Sequence, residues 1–459
     1  MLYPEAGKWL DKPRLLLHEG LYHLFYVQGR ERAAAPTALA RATSPDLLSW
    51  EKTSLLLEAG APGSWDDLGI GAAAPIMRDG VCYLLYTGRG QHGDAGLGLV
   101  WTEDWLTWKS HPHPVLRPDP QWYESTGEAM LWRDPVLWHN PFDGSTYAFL
   151  AARTVDHAGC IAMARSQDLL QWEVLPPAYA PDLGQLQTPD IFPWQDSWIM
   201  TFGCCDGAET RFLVSDNPLQ WDSKDTGALL LGGESSLDTS LCTAPTLNGA
   251  GSVHVSRVPP GTPAGGGEPR TWLALPKTLS GAAEQLALTM RSDLYTAPID
   301  CFDCEKLVVD QMECWHTDGD VITATSPGGR TFLPLPPRGN RTASALIAIE
   351  GTGEGGYVVG SDDVIVALTS DGHVVTRTGE GIHSRSWDVG GFRGELSVAL
   401  VDRHVEVYFN RRFLGTACAV EPGEKTLALF CSGTLSIVFS GVAVKTFELH
   451  LQHQAALLP

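Results

Sequence analysis

Along the first 225 residues the apolar positions fall in short, aromatic-rich runs, and no long helical pattern interrupts them. Each run opens on a tight polar turn. The pairs are Glu19-Gly20 before Tyr22-His23-Leu24-Phe25-Tyr26, Asp79-Gly80 before Cys82-Tyr83-Leu84-Leu85-Tyr86, Asp143-Gly144 before Tyr147-Ala148-Phe149-Leu150, and Gln195-Asp196 before Trp198-Ile199-Met200-Thr201-Phe202. Each unit then closes on one phrase, a small polar residue, Asp-Leu or a variant, and Trp. Its copies are Ser44 to Trp50, Thr102 to Trp108, Ser166 to Trp172 and Ser215 to Trp221, with the closing tryptophans 58, 64 and 49 residues apart. Strand-only repeats with a period near 50 residues are the sequence mark of a β-propeller.

Residues 226–295 read as a further blade, with strands at Val253–Val258 and Thr271–Leu275 and a loop at Pro259–Pro269 between them. From about 296 the Trp phrases stop. Alternating strands such as Ala345–Ile349, Val364–Leu368, Leu396–Val401, Val405–Phe409 and Leu427–Phe430 read as a β-sandwich. The expected fold is all-β: a five-bladed β-propeller over 1–295, followed by a C-terminal β-sandwich over 296–459.

Composition narrows the partners. Lys+Arg 32 against Asp+Glu 54 gives a net charge of −22, which argues against nucleic acid or an anionic membrane surface. No apolar run approaches the roughly 18 residues of a membrane span. Met1-Leu2-Tyr3-Pro4-Glu5 lacks the basic and apolar regions of a signal peptide, which favours the cytoplasm, although a mature secreted form would read the same. Cys301, Cys304 and Cys314 form a C-x2-C-x9-C cluster without a fourth ligand, so no metal or other cofactor is expected.

In a propeller the inner strands start near the axis, so equivalent residues of different blades share one pocket. Asp11 lies 39 residues before Trp50 and Asp134 lies 38 before Trp172; Gln187 and Asp190 lie 34 and 31 before Trp221. Blade two offers Ile70-Gly71-Ala72-Ala73 there, with no ionisable group. A lone Asp at a turn usually bonds its own backbone, but recurrence at one depth favours a shared site. Carboxylates around an aromatic-walled pocket suit glycoside cleavage, and Trp9, Trp65, Trp132 and Trp194 are placed to stack on sugars.

Trp9-Leu10-Asp11-Lys12-Pro13 with Gly20–Tyr26 resembles the nucleophile motif of glycoside hydrolase family 32, the β-fructosidases. Trp132-Arg133-Asp134-Pro135 matches that family's Arg-Asp-Pro motif, and Gln187-Thr188-Pro189-Asp190-Ile191-Phe192 resembles its Glu-Cys-Pro-Asp-Leu-Phe motif. Leu275-Pro276-Lys277 is similar to its Leu-Pro-Arg segment, and Leu400-Val401-Asp402-Arg403 with Val405–Asn410 to its sandwich strands. The resemblance implies a retaining enzyme on sucrose, fructo-oligosaccharides or fructan. Asp11 would be the nucleophile, Asp134 the transition-state stabiliser, and Arg133 the residue fixing the carboxylates; Trp9, Trp65 and Asp190 would bind substrate. Two departures stand out. The first motif carries Lys12 where the family has Pro, and Gln187 stands where the family has its acid/base Glu. An amide cannot protonate a leaving group. The change is an engineered Glu→Gln replacement, the mark of a sugar binder, or compensated by Asp190 or Glu128. A fructosyltransferase, an arabinanase- or xylosidase-like propeller (family 43) and a non-catalytic carbohydrate-binding propeller are the alternatives.

Overall fold

The computed structural model describes residues 8–29, 38–91, 95–126, 131–204, 209–232, 239–245, 252–258, 272–291, 314–335, 341–360, 364–378, 384–401, 404–418 and 426–446. Cys301, Cys304, Glu128, the Pro259–Pro269 loop, Asp402 and Arg403 lie outside them.

The first blade is β1 (Trp9–His18), β2 (Leu21–Gly29), β3 (Ala38–Ser44) and β4 (Glu51–Glu58). The second is β5 (Gly69–Arg78), β6 (Val81–Arg89), β7 (Ala95–Thr102) and β8 (Lys109–Ser110). The third is β9 (Trp132–His139), β10 (Thr146–Arg153), β11 (Gly159–Ser166) and β12 (Trp172–Tyr179). The fourth is β13 (Gln187–Trp194), β14 (Ser197–Cys204), β15 (Glu209–Ser215) and β16 (Ala228–Gly232). Each is a separate antiparallel sheet in chain order. The polar turns join the first two strands of each blade. Glu19-Gly20 has φ of 48° and 77° and Asp79-Gly80 of 51° and 79°, the paired positive values of a hairpin turn that matches strand twist.

The Trp phrase is a repeated cap. Ser44 Oγ accepts the Leu47 N–H, Asp46 Oδ1 accepts the N–H groups of Leu48 and Ser49, and the Trp50 indole donates to Leu47 O at 3.0 Å. Thr102 and Asp104, Ser166 and Asp168, and Ser215 and Asn217 repeat the side-chain part, and the indoles of Trp172 and Trp221 repeat the last bond. Backbone groups that leave the sheet between third and fourth strands are satisfied there, which explains the recurrence.

After the four blades come β17 (Thr239–Pro245), β18 (Ser252–Val258), β19 (Trp272–Leu273), β20 (Lys277–Ser280) and β21 (Ala287–Met290). The C-terminal sheet domain is β22 (Trp315–Asp318), β23 (Val321–Leu335), β24 (Arg341–Val359), β25 (Val364–Thr369), β26 (His373–Thr378), β27 (Ser384–Asp388), β28 (Arg393–Val401), β29 (His404–Phe409), β30 (Arg412–Cys418) and β31 (Leu427–Thr446). The long β24 serves two branches: Arg341–Ala348 pairs with β28 and Glu354–Val359 with β25. Apolar residues of both branches share one core.

Here the structure departs from the five separate blades expected. The strands β17-β18-β20-β21 run on into the C-terminal sheet, because the edge of β21 bonds β30 through Thr289 and Arg412. An open edge is thereby covered. A second core seals the junction, with Phe192 and Ile199 of blade four, Leu275 and Leu288, and Val401, Tyr408 and Phe413 of the C-terminal domain. At the axis, β1 lies beside β5, β5 beside β9 and β9 beside β13; β17 lies beside both β13 and β1.

Candidate active site

The innermost strands are interrupted at one depth. Their pairing shifts register between Asp11 and Arg14, between Ile70 and Ala73, at the Arg133–Val136 step opposite Ala151 and Phe149, and between Gln187 and Asp190. Such bulges re-aim side chains beside active sites. Three of them share a conformation: Lys12, Asp134 and Thr188 have φ of 54°, 57° and 41°, and each directly precedes a proline (Pro13, Pro135, Pro189). Left-handed backbone at a residue other than glycine costs about 1–3 kcal/mol and persists where its surroundings enforce it.

This corrects the register read from the sequence. The blade-one counterpart of Asp134 and Thr188 is Lys12, and Asp11 corresponds to Arg133 and Gln187. The bulged residues meet around Asp134, which is 1% exposed. Lys12 Nζ donates to Asp134 Oδ2 at 2.8 Å, and the Thr188 N–H reaches the same oxygen at 3.3 Å. The Asp134 N–H donates to Thr87 Oγ1 of β6 at 3.1 Å. Blade two makes room for that contact by carrying Gly71, where a Cβ would sit 2.8 Å from Thr87 Cβ. Arg14, 4% exposed, donates to the backbone carbonyls of Asp134 at 3.4 Å and Pro189 at 3.0 Å, tying blades one, three and four together.

Burial alone would push the Asp134 carboxyl up. The charge of Lys12, then that of Arg133, then the Lys12 hydrogen bond and Arg14 outweigh it and hold the group below its ordinary value. Arg133 Nε stands 3.8 Å from Asp134 Oδ2, too far for a hydrogen bond, and is buried without an acceptor; the side chain as a whole is 30% exposed. Asp134 Oδ1 accepts no hydrogen bond from the described residues.

The other expected residues divide. Asp11 is half-buried, and its Oδ1 accepts the Lys12 N–H at 2.6 Å. Gln187 is half-buried and adjoins Thr188; Asp190 is buried, its Oδ1 accepting the Ile191 N–H at 3.1 Å. Trp9 and Trp65 are half-buried against one apolar cluster between blades one and two, each ring lying where a Cβ at Gly29 or Gly88 would collide with it. Two tryptophans are not sugar platforms. Trp132 is 1% exposed and packs on Tyr123, and Trp194 ends β13 away from Gln187 and donates to Gly281 O. Lys12, Arg14 and Thr87 were missed. For Lys12 a signal existed, the proline at one offset in three blades; for Thr87, on a second strand, none did. Among the described residues no group of three or more His, Cys, Asp or Glu could hold a metal, and no helix is long and apolar enough to cross a membrane.

Fold and site define a β-propeller protein with a charged cluster where its innermost strands meet. The Glycosyl hydrolases family 32 N-terminal domain matches residues 3–240, more than half of the chain, and the chain belongs to that family. It is 24% identical over 212 residues to sucrose-6-phosphate hydrolase of Bacillus subtilis, a match covering 43% of this chain and 42% of that enzyme. It is 28% identical over 200 residues to the insoluble β-fructofuranosidase isoenzyme CWINV2 of Arabidopsis thaliana, covering 40% of this chain and 32% of the relative. The matches therefore span less than half of either relative's length. The fold agrees over nearly the whole chain with the β-fructofuranosidase of Bombyx mori, at a TM-score of 0.69 with 15% identity, covering 97% of this chain and 93% of that one. Family members of these kinds are glycosidases.

Proposed function

We propose that the axial pocket binds the fructofuranosyl unit of sucrose, fructo-oligosaccharides or fructan, and that the chain acts there as a retaining glycosidase. The observation that carries the reading is Asp134: a buried carboxylate, charge-compensated by Lys12, with one oxygen left for a sugar hydroxyl. Family membership and the sugar-acting relatives support it. Asp134 would accept hydroxyls of the fructose ring, and their bonds would strengthen as positive charge develops on the anomeric carbon. Asp11 would attack that carbon, and Arg133, Asp190, Trp9 and Trp65 would line the sugar. Gln187 would stand beside the leaving oxygen, where it can hydrogen-bond but not protonate.

A second reading, binding without turnover, is favoured by two observations. Gln187 lacks an acidic proton, and the blade-one residue that meets Asp134 is a lysine. The deciding experiment assays sucrose, 1-kestose, inulin and levan for binding and for turnover, with an aryl-arabinofuranoside as control. Turnover of the fructosides supports the glycosidase, binding alone supports the binder, and turnover of the control alone contradicts both.

The larger organisation is part of the same proposal. Residues 1–295 would form a five-bladed propeller with β17–β21 as its last blade, supported by β17 lying beside both β13 and β1. Residues 296–459 would form the sandwich, supported by the two branches of β24 sharing one core.

A further inference from the structure

We infer that Lys12 is a positioning residue of the pocket, holding the Asp134 carboxylate in place and charged so that it can accept ligand hydroxyls. The inference rests on the fructoside-binding reading and adds to it the device by which the site works. Lys12 occupies the bulge position of blade one that Asp134 occupies in blade three, with the same left-handed backbone and following proline. Two strained bulges on different strands thus aim an ammonium and a carboxylate at each other across the axis, 2.8 Å apart. The lysine side chain is 18% exposed and the aspartate 2%, so a part-exposed ammonium covers a buried carboxylate.

Among the described residues, Arg133 and Arg14 add favourable charge near Asp134, but neither hydrogen-bonds its carboxylate. Arg14 spends its donor on the Asp134 and Pro189 carbonyls, and Arg133 Nε stands 3.8 Å off without bonding. Thr87 holds the Asp134 backbone, and Thr188 gives a single neutral N–H. Asp11, on the other side of Lys12, accepts its backbone N–H and not its ammonium. Lys12 therefore supplies the one charged hydrogen bond that the carboxylate receives from the described residues. A buried carboxylate deprived of that partner takes up a proton more readily. A protonated Asp134 would lose its strongest acceptor character toward a sugar hydroxyl.

The test titrates 1-kestose calorimetrically into wild type, Lys12→Met and Lys12→Arg between pH 4 and 8. Wild-type affinity should stay flat over that range. Lys12→Met should bind more weakly as pH falls, by about tenfold for each unit below the new Asp134 midpoint; Lys12→Arg should restore the flat profile. A second measurement needs no ligand: thermal unfolding against pH. Lys12→Met should lower Tm more at pH 7 than at pH 4, and in an Asp134→Asn background the difference should vanish. Lys12→Gln replaces the Met variant if that one fails to fold. If wild type binds no fructoside yet the unfolding difference appears, the ligand reading fails while the role of Lys12 toward Asp134 stands. If Lys12→Met keeps both the wild-type pH profile of binding and the wild-type Tm profile, the inference is overturned.

Discussion

Two lysine–carboxylate pairs among the described residues join segments far apart in the chain, and they are built differently. At the junction of β20 and β29, Lys277 and Glu406 are both fully buried and 2.9 Å apart. The Lys277 ammonium also donates to Leu275 O and lies 4.2 Å over the Phe413 ring. Glu406 accepts the Leu275 N–H and the Tyr408 hydroxyl as well. Each charge is surrounded by partners from both sides of the propeller–sheet junction, and no group is left over. The pair at the axis is leaner. Lys12 and Asp134 sit on strained backbone, the lysine is partly exposed, and Asp134 Oδ1 accepts no hydrogen bond from the described residues. A saturated pair can only hold its elements together. An unsaturated one retains bonding capacity that a ligand can use.

The contrast can be broken by substitution. Lys277→Met should be the most damaging change, lowering stability by about 3–5 kcal/mol, because it strands the Glu406 charge in a dry junction. The double change Lys277→Met, Glu406→Leu should recover most of that loss; urea unfolding of the three proteins checks it. Lys12→Met should cost less, because the lysine is partly exposed and Arg133 and Arg14 still compensate the Asp134 charge, and equal losses at the two sites would erase the distinction.

Gln187→Glu tests the chemistry at the axis. A carboxyl there should create or raise sucrose hydrolysis by about 10²-fold or more, with a bell-shaped pH profile. Affinity for 1-kestose should change little, since amide and carboxyl share shape and an acceptor oxygen. An unchanged rate would move the acid/base position away from residue 187, with Asp190 and Glu128 next to examine. Asp11→Ala should remove whatever turnover the protein shows without unfolding it; an active variant would contradict the nucleophile assignment.

Asp134→Asn keeps the shape of the site and removes its charge. Fructoside affinity should fall about 10- to 100-fold, the loss of one hydrogen bond to a charged group. The Tm should also respond to acid differently. With its folded-state value held below the ordinary one, Asp134 contributes stability above the unfolded value of 3.8 that is lost as pH falls through the lower, folded value. The Asn variant should lack that acid-side loss.

The smallest effect lies far from both pairs, near the turn end of β2. His23 is buried, stacks on Trp105 at 4.0 Å between ring centres, and faces Arg41 and His18. Burial first, then Arg41 and His18, bring it down from 6.5 to about 4. The folded state thus refuses a proton that the unfolded chain accepts, so stability falls as pH drops from about 6.5 to about 4. His23→Phe should flatten Tm over that window and leave 1-kestose binding untouched. An undiminished acid-side slope would place the titration elsewhere.

Much of the propeller could be read from the chain because its repeats are local. A hairpin turn needs two residues of positive φ, and a cap needs a hydroxyl, a carboxylate and an indole a few positions apart; both leave a mark within seven residues. The axial register was harder. The 38 residues between Asp134 and Trp172, counted back from Trp50, end on Lys12, whereas Asp11 stands 39 back, and its carboxylate made that neighbouring position the more attractive one. One residue of error moved the expectation from Lys12 to Asp11, the opposite charge. The fusion of β21 to β30 was invisible for another reason: the pairing of Thr289 with Arg412 joins segments far apart in the chain, and neither segment signals which edge it will meet. Trp132 shows the limit of composition, since aromatic residues near blade starts serve the core as readily as a sugar.

The position of a bound fructoside is the most direct measure of what the axial site does. A crystal structure of the protein soaked with sucrose or 1-kestose should show the fructose ring at the axial end of β1, β9 and β13. One of its hydroxyls should lie within about 3.2 Å of Asp134 Oδ1, with the Lys12–Asp134 pair intact. A sugar bound elsewhere on the chain with the axial pocket empty, or a fructose ring in the pocket that makes no contact with Asp134, would contradict the fructoside-binding reading.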